Sequence, residues 1–348
     1  MTLRVVVAAA LVSCVLHVVP AAAQPAPDFP RPEKLTIGYL PVIFHGQLFG
    51  AQEKGWLNEL GVPKINLLRF TSGTPFLQAM ASGQVDIGYI GVGPVIIAGH
   101  QGLPVKSLAA TSKDTMGLVT SDTFAQIYAA NQPTSAAFAA FAKQVGRKPR
   151  IGTVPRGTTP DVFLRMWLAG RGVSAENDVE IVPMGVDQLT PAMAAGRLDG
   201  AVYGEPQLTL ILRADPKFKV LLYAKDLVPD LPGGTVMVQQ RLIDQYPAML
   251  EKLVEIHLRT NKLFNTDREF FARTVAKTLG IPLDVAQASV RSPAAHMVTN
   301  LRALAATLAV YDAFEVKQGV WPKPLKIEEV FDLRFYDAVL KKHPELAD

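Results

Sequence analysis

Cysteine is nearly absent: Cys14 is the one thiol in 348 residues, and it lies in an apolar stretch at the N-terminus. If that stretch is removed on export, the mature chain has none, which excludes disulfides, cysteine nucleophiles, iron–sulfur clusters and cysteine zinc sites. Charge is also scarce, at 19% of residues, and nearly balanced, with 35 Lys and Arg against 31 Asp and Glu. A net charge of +4, dispersed along the chain, is too small for a nucleic-acid surface, so no nucleic-acid partner is expected. Beyond the N-terminus the longest apolar run, Ile87 to Ala98, is broken by glycines and Pro94, and no membrane span follows from it. His100, His257, His296 and His343 make no metal-ligand spacing, and no His-Glu-x-x-His, phosphate-loop or Gly-x-Ser-x-Gly sequence occurs. Neither a catalytic mechanism nor a cofactor is therefore expected. What the chain does have is apolar substance, 49% hydrophobic residues, enough for two domains with cores of their own.

The sequence opens on Met1-Thr2-Leu3-Arg4, an apolar run from Val5 to Val19, and Pro20-Ala21-Ala22-Ala23 before Gln24. This is the charged, apolar, small-residue order of a secretory signal peptide spanning residues 1–23. A rival reading takes Leu11-Val12-Ser13-Cys14 as a lipoprotein box that anchors the chain through Cys14. The residues after Cys14 stay apolar, whereas a lipid-anchored chain emerges into a polar tether, which favours an exported, water-soluble protein. Residues 24–33, rich in Pro and Ala, are expected to be a tether, with order beginning at Lys34.

The most informative feature is an internal repeat. Ala79 to Gly91 (AMASGQVDIGYIG) aligns with Ala192 to Gly204 (AMAAGRLDGAVYG) at an offset of 113, and Lys34 to Pro41 (KLTIGYLP) aligns with Lys148 to Pro155 (KPRIGTVP) at an offset of 114. Each copy reads as a strand (Leu35 to Leu40; Arg150 to Val154), an amphipathic helix (Gln47 to Leu57; Asp161 to Ala169) and a second strand (Ile65 to Phe70; Val179 to Pro183). A short helix ending at Gly83 or Gly196 and a third strand (Asp86 to Ile90; Gly200 to Tyr203) complete the unit. Alternating strands and helices of this length imply right-handed crossovers and hence α/β lobes. Residues 34–120 with 233–348 are expected to form the first lobe and 121–232 the second, with the chain crossing near Thr120 and again near Gly233. After the strand Thr235 to Gln239 the signals are almost entirely helical. In such sheets ligands sit beyond the carboxyl ends of the strands, which places a site in the cleft between the lobes.

Phe70-Thr71-Ser72-Gly73-Thr74, the Gly-Gln-Val-Asp-Ile-Gly core of the first repeat, Thr153 to Thr159 and Tyr203-Gly204-Glu205-Pro206 resemble the nitrate/sulfonate/taurine/bicarbonate family of substrate-binding proteins. These are periplasmic receptors of ABC importers, a family that also takes up thiamine-pyrimidine precursors. The resemblance covers roughly Lys34 to Gly280. It implies the two-lobed type II periplasmic-binding-protein fold, with duplicated α/β lobes, two hinge crossings and a helical C-terminal region. It also implies a periplasmic, monomeric protein that captures a small organic anion or zwitterion and delivers it to an ABC permease and its ATPase. Two other functions compete. Pyrimidine synthases share this scaffold, but they carry a cysteine-rich stretch that this chain lacks; a sensor or partner-binding periplasmic protein is left open by the sequence.

The candidate ligand contacts follow from the repeat and the resemblance together. Thr158 and Thr159 begin a helix whose free N–H groups suit an oxyanion, although Thr158-Thr159-Pro160-Asp161 is also an ordinary capped helix start. Arg156 offers a planar donor fork, yet a loop arginine is more often simply solvated. His45 beside Phe44 takes the equivalent place in the first copy, where a lone histidine is more often structural. Glu205 follows an apolar strand and needs a partner, either an amine on the ligand or a contact between lobes. Thr71, Ser72, Thr74, Tyr89 and Thr235 are neutral groups near the strand ends, and any of them can instead satisfy turn backbone. Asp86 and Asp199, although repeated, are expected to tie down the turn before a strand.

Overall fold

A computed structural model describes residues 28–348; the expected signal peptide and the first four residues of the expected tether lie outside them. The first copy of the repeat supplies β1 (Lys34–Tyr39), β2 (Lys64–Arg69), β3 (Ile87–Gly91) and β4 (Val105–Lys113), with α1 (Gly46–Glu53), α2 (Gly73–Ala81) and α3 (Val92–His100) between them. The chain then enters a second sheet with β5 (Gly117–Thr120), α4 (Asp122–Ala130), α5 (Thr134–Val145), β6 (Arg150–Thr153), α6 (Thr159–Gly170), β7 (Glu180–Pro183), α7 (Val186–Ala194), β8 (Gly200–Tyr203), α8 (Gln207–Ala214) and β9 (Lys219–Tyr223). It returns as β10 (Pro232–Gln239), followed by α9 (Gln240–Gln245), α10 (Pro247–Thr266), α11 (Arg268–Leu279), α12 (Leu283–Arg291), the two-residue β11 (His296–Met297), α13 (Leu301–Lys317) and α14 (Arg334–Lys342).

The two sheets have the same plan, β2-β1-β3-β10-β4-β11 and β7-β6-β8-β5-β9. In each, three strands of the repeat run parallel and the next strand is antiparallel to them. That antiparallel strand is the one that arrives from the other sheet, β10 in the first and β5 in the second. Repeated residues do repeated work. A Cβ on Gly38 would lie 2.9 Å from the Phe76 ring, and one on Gly152 would lie 2.5 Å from Leu198 and 3.1 Å from Leu189, so both glycines let side chains of the following helix and its exit lie close on the strand. Asp86 accepts from the Thr36 N–H at 2.6 Å and Asp199 from the Arg150 N–H at 2.8 Å. Both acids therefore fasten the start of a neighbouring strand, as expected, and Arg241 and Arg147 pair with them.

The chain changes sheet earlier than the sequence suggests. Gly117–Thr120 pairs with β8 and β9 of the second sheet, so the first crossing is residues 114–116 and not the neighbourhood of Thr120. The return crossing is residues 224–231, because Pro232 already pairs with Lys113. An apolar strand carries no mark of the sheet it joins, which is why the boundary is illegible in sequence. The two crossings are tied to each other: Asp114 N–H donates to the Leu231 carbonyl at 2.8 Å, and Asp114 Oδ1 accepts from Leu231 N–H at 3.0 Å.

The helical region after β10 is not confined to the first lobe. α10 packs on α1 and α14, while α12 packs on α8 and α13 on α6, both in the second half. Arg213 of α8 pairs with Asp284 of α12. One buried cluster accordingly runs from Phe76 and Ile96 through Trp167 and Leu189 to Leu304 and Tyr311, while a second fills the other face of the first sheet, around Leu35, Phe49, Tyr89 and Leu253.

Candidate functional site

The carboxyl ends of both sets of parallel strands meet at a cavity of about 30 Å³, room for about two water molecules. Its walls keep the symmetry of the repeat. Leu40 and Val154 follow β1 and β6, Phe44 and Thr158 occupy matching loop positions, and Ile90 and Tyr203 lie at matching places near the ends of β3 and β8; all six line the cavity. Ser72, Gly73, Gly91, Pro94, Met116, Thr159, Pro160 and Gly233 complete it. No lining residue carries a charge.

Three helices begin at this cavity: α2 after Ser72, α3 after Gly91 and α6 after Thr158. The first N–H groups of a helix have no carbonyl within it to accept them, and its N-terminus carries partial positive charge. The sequence limits how many such donors remain, because Pro75, Pro94 and Pro160 each stand within the first three residues of their helix and have no N–H. The halves touch here. Thr159 Oγ1 accepts from the Gly93 N–H at 3.2 Å, and the Tyr311 hydroxyl of α13 donates to the Gly157 carbonyl at 3.1 Å. Asp161 Oδ2 accepts from the Gly157 N–H at 3.1 Å and pairs with Arg165 at 3.1 Å, so both ends of the Gly157 peptide unit are held. On the opposite rim Val186 N–H donates to the Thr71 carbonyl at 3.3 Å, and Arg69 meets Asp187 at 2.9 Å.

Of the expected contacts, Phe44, Ser72, Thr158 and Thr159 line the cavity. Ser72 and Tyr203 are buried, yet their hydroxyls make no hydrogen bond among the described residues, and burial holds the Tyr203 phenol well above its ordinary pKa. The Thr158 hydroxyl donates to the Pro155 carbonyl at 2.6 Å, which leaves Thr159 and the two unpaired hydroxyls as the polar side chains free to donate.

The other expected contacts are placed elsewhere. Arg156 is exposed, outside the cavity, with its charge near Glu315. Tyr89 points to the far face of the sheet, since neighbouring strand residues alternate and Ile90 takes the cavity side; its hydroxyl lies 3.4 Å from His257 Nδ1. His45 is fully buried, with Nδ1 3.1 Å from the Leu40 carbonyl and Nε2 unpartnered. Burial lowers its pKa to about 3, so it offers no charge to an anion. Glu205 accepts from Thr209 N–H at 3.0 Å and lies against Ser289 and Ser292 near α12. Burial raises its pKa, and it joins the halves instead of facing the cavity. Thr235 pairs with Ser107 at 2.9 Å behind β10. Thr71 and Thr74 are exposed and do not line the cavity.

Residues that the sequence reading passed over carry much of the wall. Leu40, Val154 and Ile90 sit at repeated strand ends, so the offset that revealed the duplication also marks them. Gly91-Val92-Gly93-Pro94 is a helix start after a strand, like Thr158-Thr159-Pro160. Met116 belongs to the first crossing and Gly233 to the start of β10, just after the second, and neither had such a signal.

Comparisons with known proteins agree with this architecture. The bicarbonate transport ATP-binding protein CmpC of Synechococcus elongatus is 25% identical over 275 residues, covering 71% of this chain and 41% of the relative. The nitrate/nitrite binding protein NrtA of Nostoc is 23% identical over 272 residues, covering 72% of this chain and 62% of the relative. The chain thus spans less than two thirds of either relative. Among solved structures, the periplasmic nitrate-binding protein NrtA of Synechocystis superposes with a TM-score of 0.76 at 15% identity, covering 90% of each chain. The alkanesulfonate-binding protein SsuA of Xanthomonas axonopodis pv. citri gives 0.69 at 19% identity, covering 87% of this chain and 99% of that one. At such identities the likeness is one of fold, the α/β fold of periplasmic binding proteins. The NMT1-like family profile matches residues 28–280, nearly the stretch over which the motifs resemble the nitrate and sulfonate receptors, and the chain belongs to that family.

Proposed function

We propose that the protein is the exported solute-binding component of an ABC importer, which closes its two sheets around one small solute and presents it to a membrane permease and ATPase. The observation that carries this reading is the cavity itself. It lies where strand ends of both sheets converge, and residues of both halves close it directly on one another, Thr159 on Gly93 and Thr71 on Val186. Among the described residues no group of three or more His, Cys, Asp or Glu is placed to hold a metal ion, and the cavity wall holds no acid, base or thiol to drive a reaction. Its chemistry is that of retention: hydroxyls, helix N-termini and apolar surface. The names of the matched relatives support the importer, since they include both a binding protein and a transport ATPase. A periplasmic structural neighbour supports export.

Retention is directly measurable. Protein equilibrated with a cell extract, washed and then denatured should release a single small solute in near-equal molar amount, as read by mass spectrometry. Folded protein that releases none, and whose melting temperature no small solute raises, would sink the receptor reading.

A further inference from the structure

Resting on the receptor reading, we propose that the solute is a compact monocarboxylate with an apolar body, and not an inorganic oxoanion, a sulfonate or an amino-bearing zwitterion. The head group follows from the donors. Ser72 and Tyr203, buried residues on opposite walls, have hydroxyls with no hydrogen bond to the protein among the described residues, and the Thr159 hydroxyl, whose oxygen already accepts from Gly93 N–H, has its proton to give. All three line the cavity and are available to donate to an acceptor on the ligand. The N-termini of α2, α3 and α6 converge there, each helix at least nine residues long, and they favour one negative charge. Prolines in all three first turns remove N–H donors, and Gly93 N–H is already taken. A set this small suits two planar oxygens better than the three or more of a sulfonate or phosphate.

The rest of the ligand follows from what the wall lacks. No Lys, Arg or protonated His lines it, so nothing balances a second negative charge, and the loop cation Arg156 faces solvent. No carboxylate lines it either. Glu205, the acid that would have met an amine, is held by Thr209 N–H on the way to α12. A buried ammonium group would be left unpaired. What remains is apolar surface from Leu40, Phe44, Ile90, Met116 and Val154, which matches a hydrocarbon body. The cavity is small, about 30 Å³, so a short body fits with the least parting of the halves.

Calorimetric titration of the purified protein with matched pairs decides it: acetate against methanesulfonate, butyrate against propanesulfonate, with taurine, nitrate and bicarbonate alongside. A carboxylate should bind one-to-one at least about tenfold more tightly than its matched sulfonate and than every other probe, with a negative heat-capacity change from apolar burial. Tyr203→Phe and Ser72→Ala should each weaken that binding roughly tenfold while their far-ultraviolet spectra stay unchanged. Tighter binding of nitrate, bicarbonate, taurine or a sulfonate overturns the proposal and leaves the receptor reading standing. Silence from every carboxylate at 5 mM, on the order of the weakest specific affinities, overturns it equally, and the solute released from extract then tells whether the receptor reading fails with it.

Discussion

Histidines 45 and 257 show how burial decides the role of a residue. Each sits without exposure in the first half, and burial lowers their pKa values to about 3 and about 4, against an ordinary value of 6.5. Both are neutral in the folded protein at any ordinary pH, His257 bonded through Nε2 to the Ala110 carbonyl at 2.7 Å. The unfolded chain binds protons at these sites below pH 6.5 and the folded chain does not. Their contribution is therefore complete above pH 6.5 and is lost as pH falls toward the folded values, at about 1.4 kcal/mol per pH unit for each. Glu205 works in the opposite sense: its raised pKa favours folding at low pH and that contribution fades as pH rises. Urea unfolding between pH 7 and pH 5 should show the steep acid loss, and His257→Gln should reduce the slope by one proton's worth even though the variant starts less stable. An unchanged slope would mean that His257 is protonated in the folded state.

At the scale of elements, the decisive contact is between the N-termini of α3 and α6. A Cβ on Gly93 would lie 2.5 Å from the Gly157 carbonyl, 2.6 Å from the Tyr311 hydroxyl and 2.8 Å from the Thr159 nitrogen. Gly93 is thus the close approach that lets one half dock on the other, and the helix itself has no need of glycine there. Gly93→Ala should leave the thermal melting of the free protein within about 1 kcal/mol of the original, since alanine favours the helix, while lowering solute affinity at least roughly tenfold because the halves can no longer meet. Arg156→Ala should leave affinity within about twofold, because the side chain is exposed and surface charges contribute little. Titration calorimetry on both variants checks the pair. Normal binding by Gly93→Ala with a loss in Arg156→Ala would put the site in the wrong place.

For the whole molecule, the two crossings are tied at Asp114 and Leu231, where the proposed closure would bend the chain, and α12 and α13 pack across onto α8 and α6. Closing is therefore resisted or favoured by the C-terminal helices as well as by the cleft. The contacts across the cavity describe a closed form, and a ligand that binds it better shifts the population toward it. Small-angle scattering of the original protein should show a smaller radius of gyration with saturating solute than without, and Gly93→Ala should stay at the larger value in both. An equal radius for all four samples would rule out hinge closure as the means of capture.

The sequence by itself determined the duplication, the parallel core of each sheet, the helix start at Thr158, and the structural duty of Asp86 and Asp199. These depend on periodicity, on glycine and proline, and on an offset that the chain repeats, all of which are local or self-referential. It also placed Phe44, Ser72, Thr158 and Thr159 at loops that the structure sets in the cavity wall, because a strand-end loop in a repeated unit has a predictable place. What only the tertiary structure decided is direction and partnership: that Ile90 faces the cavity while Tyr89 faces His257, that β5 belongs to the second sheet, that Glu205 turns to Thr209 and that Arg156 turns to solvent. A one-residue step along a strand reverses the face a side chain takes, and the partner that satisfies a buried acid lies far away in sequence. Chemistry at the site therefore became legible only once both halves stood against each other.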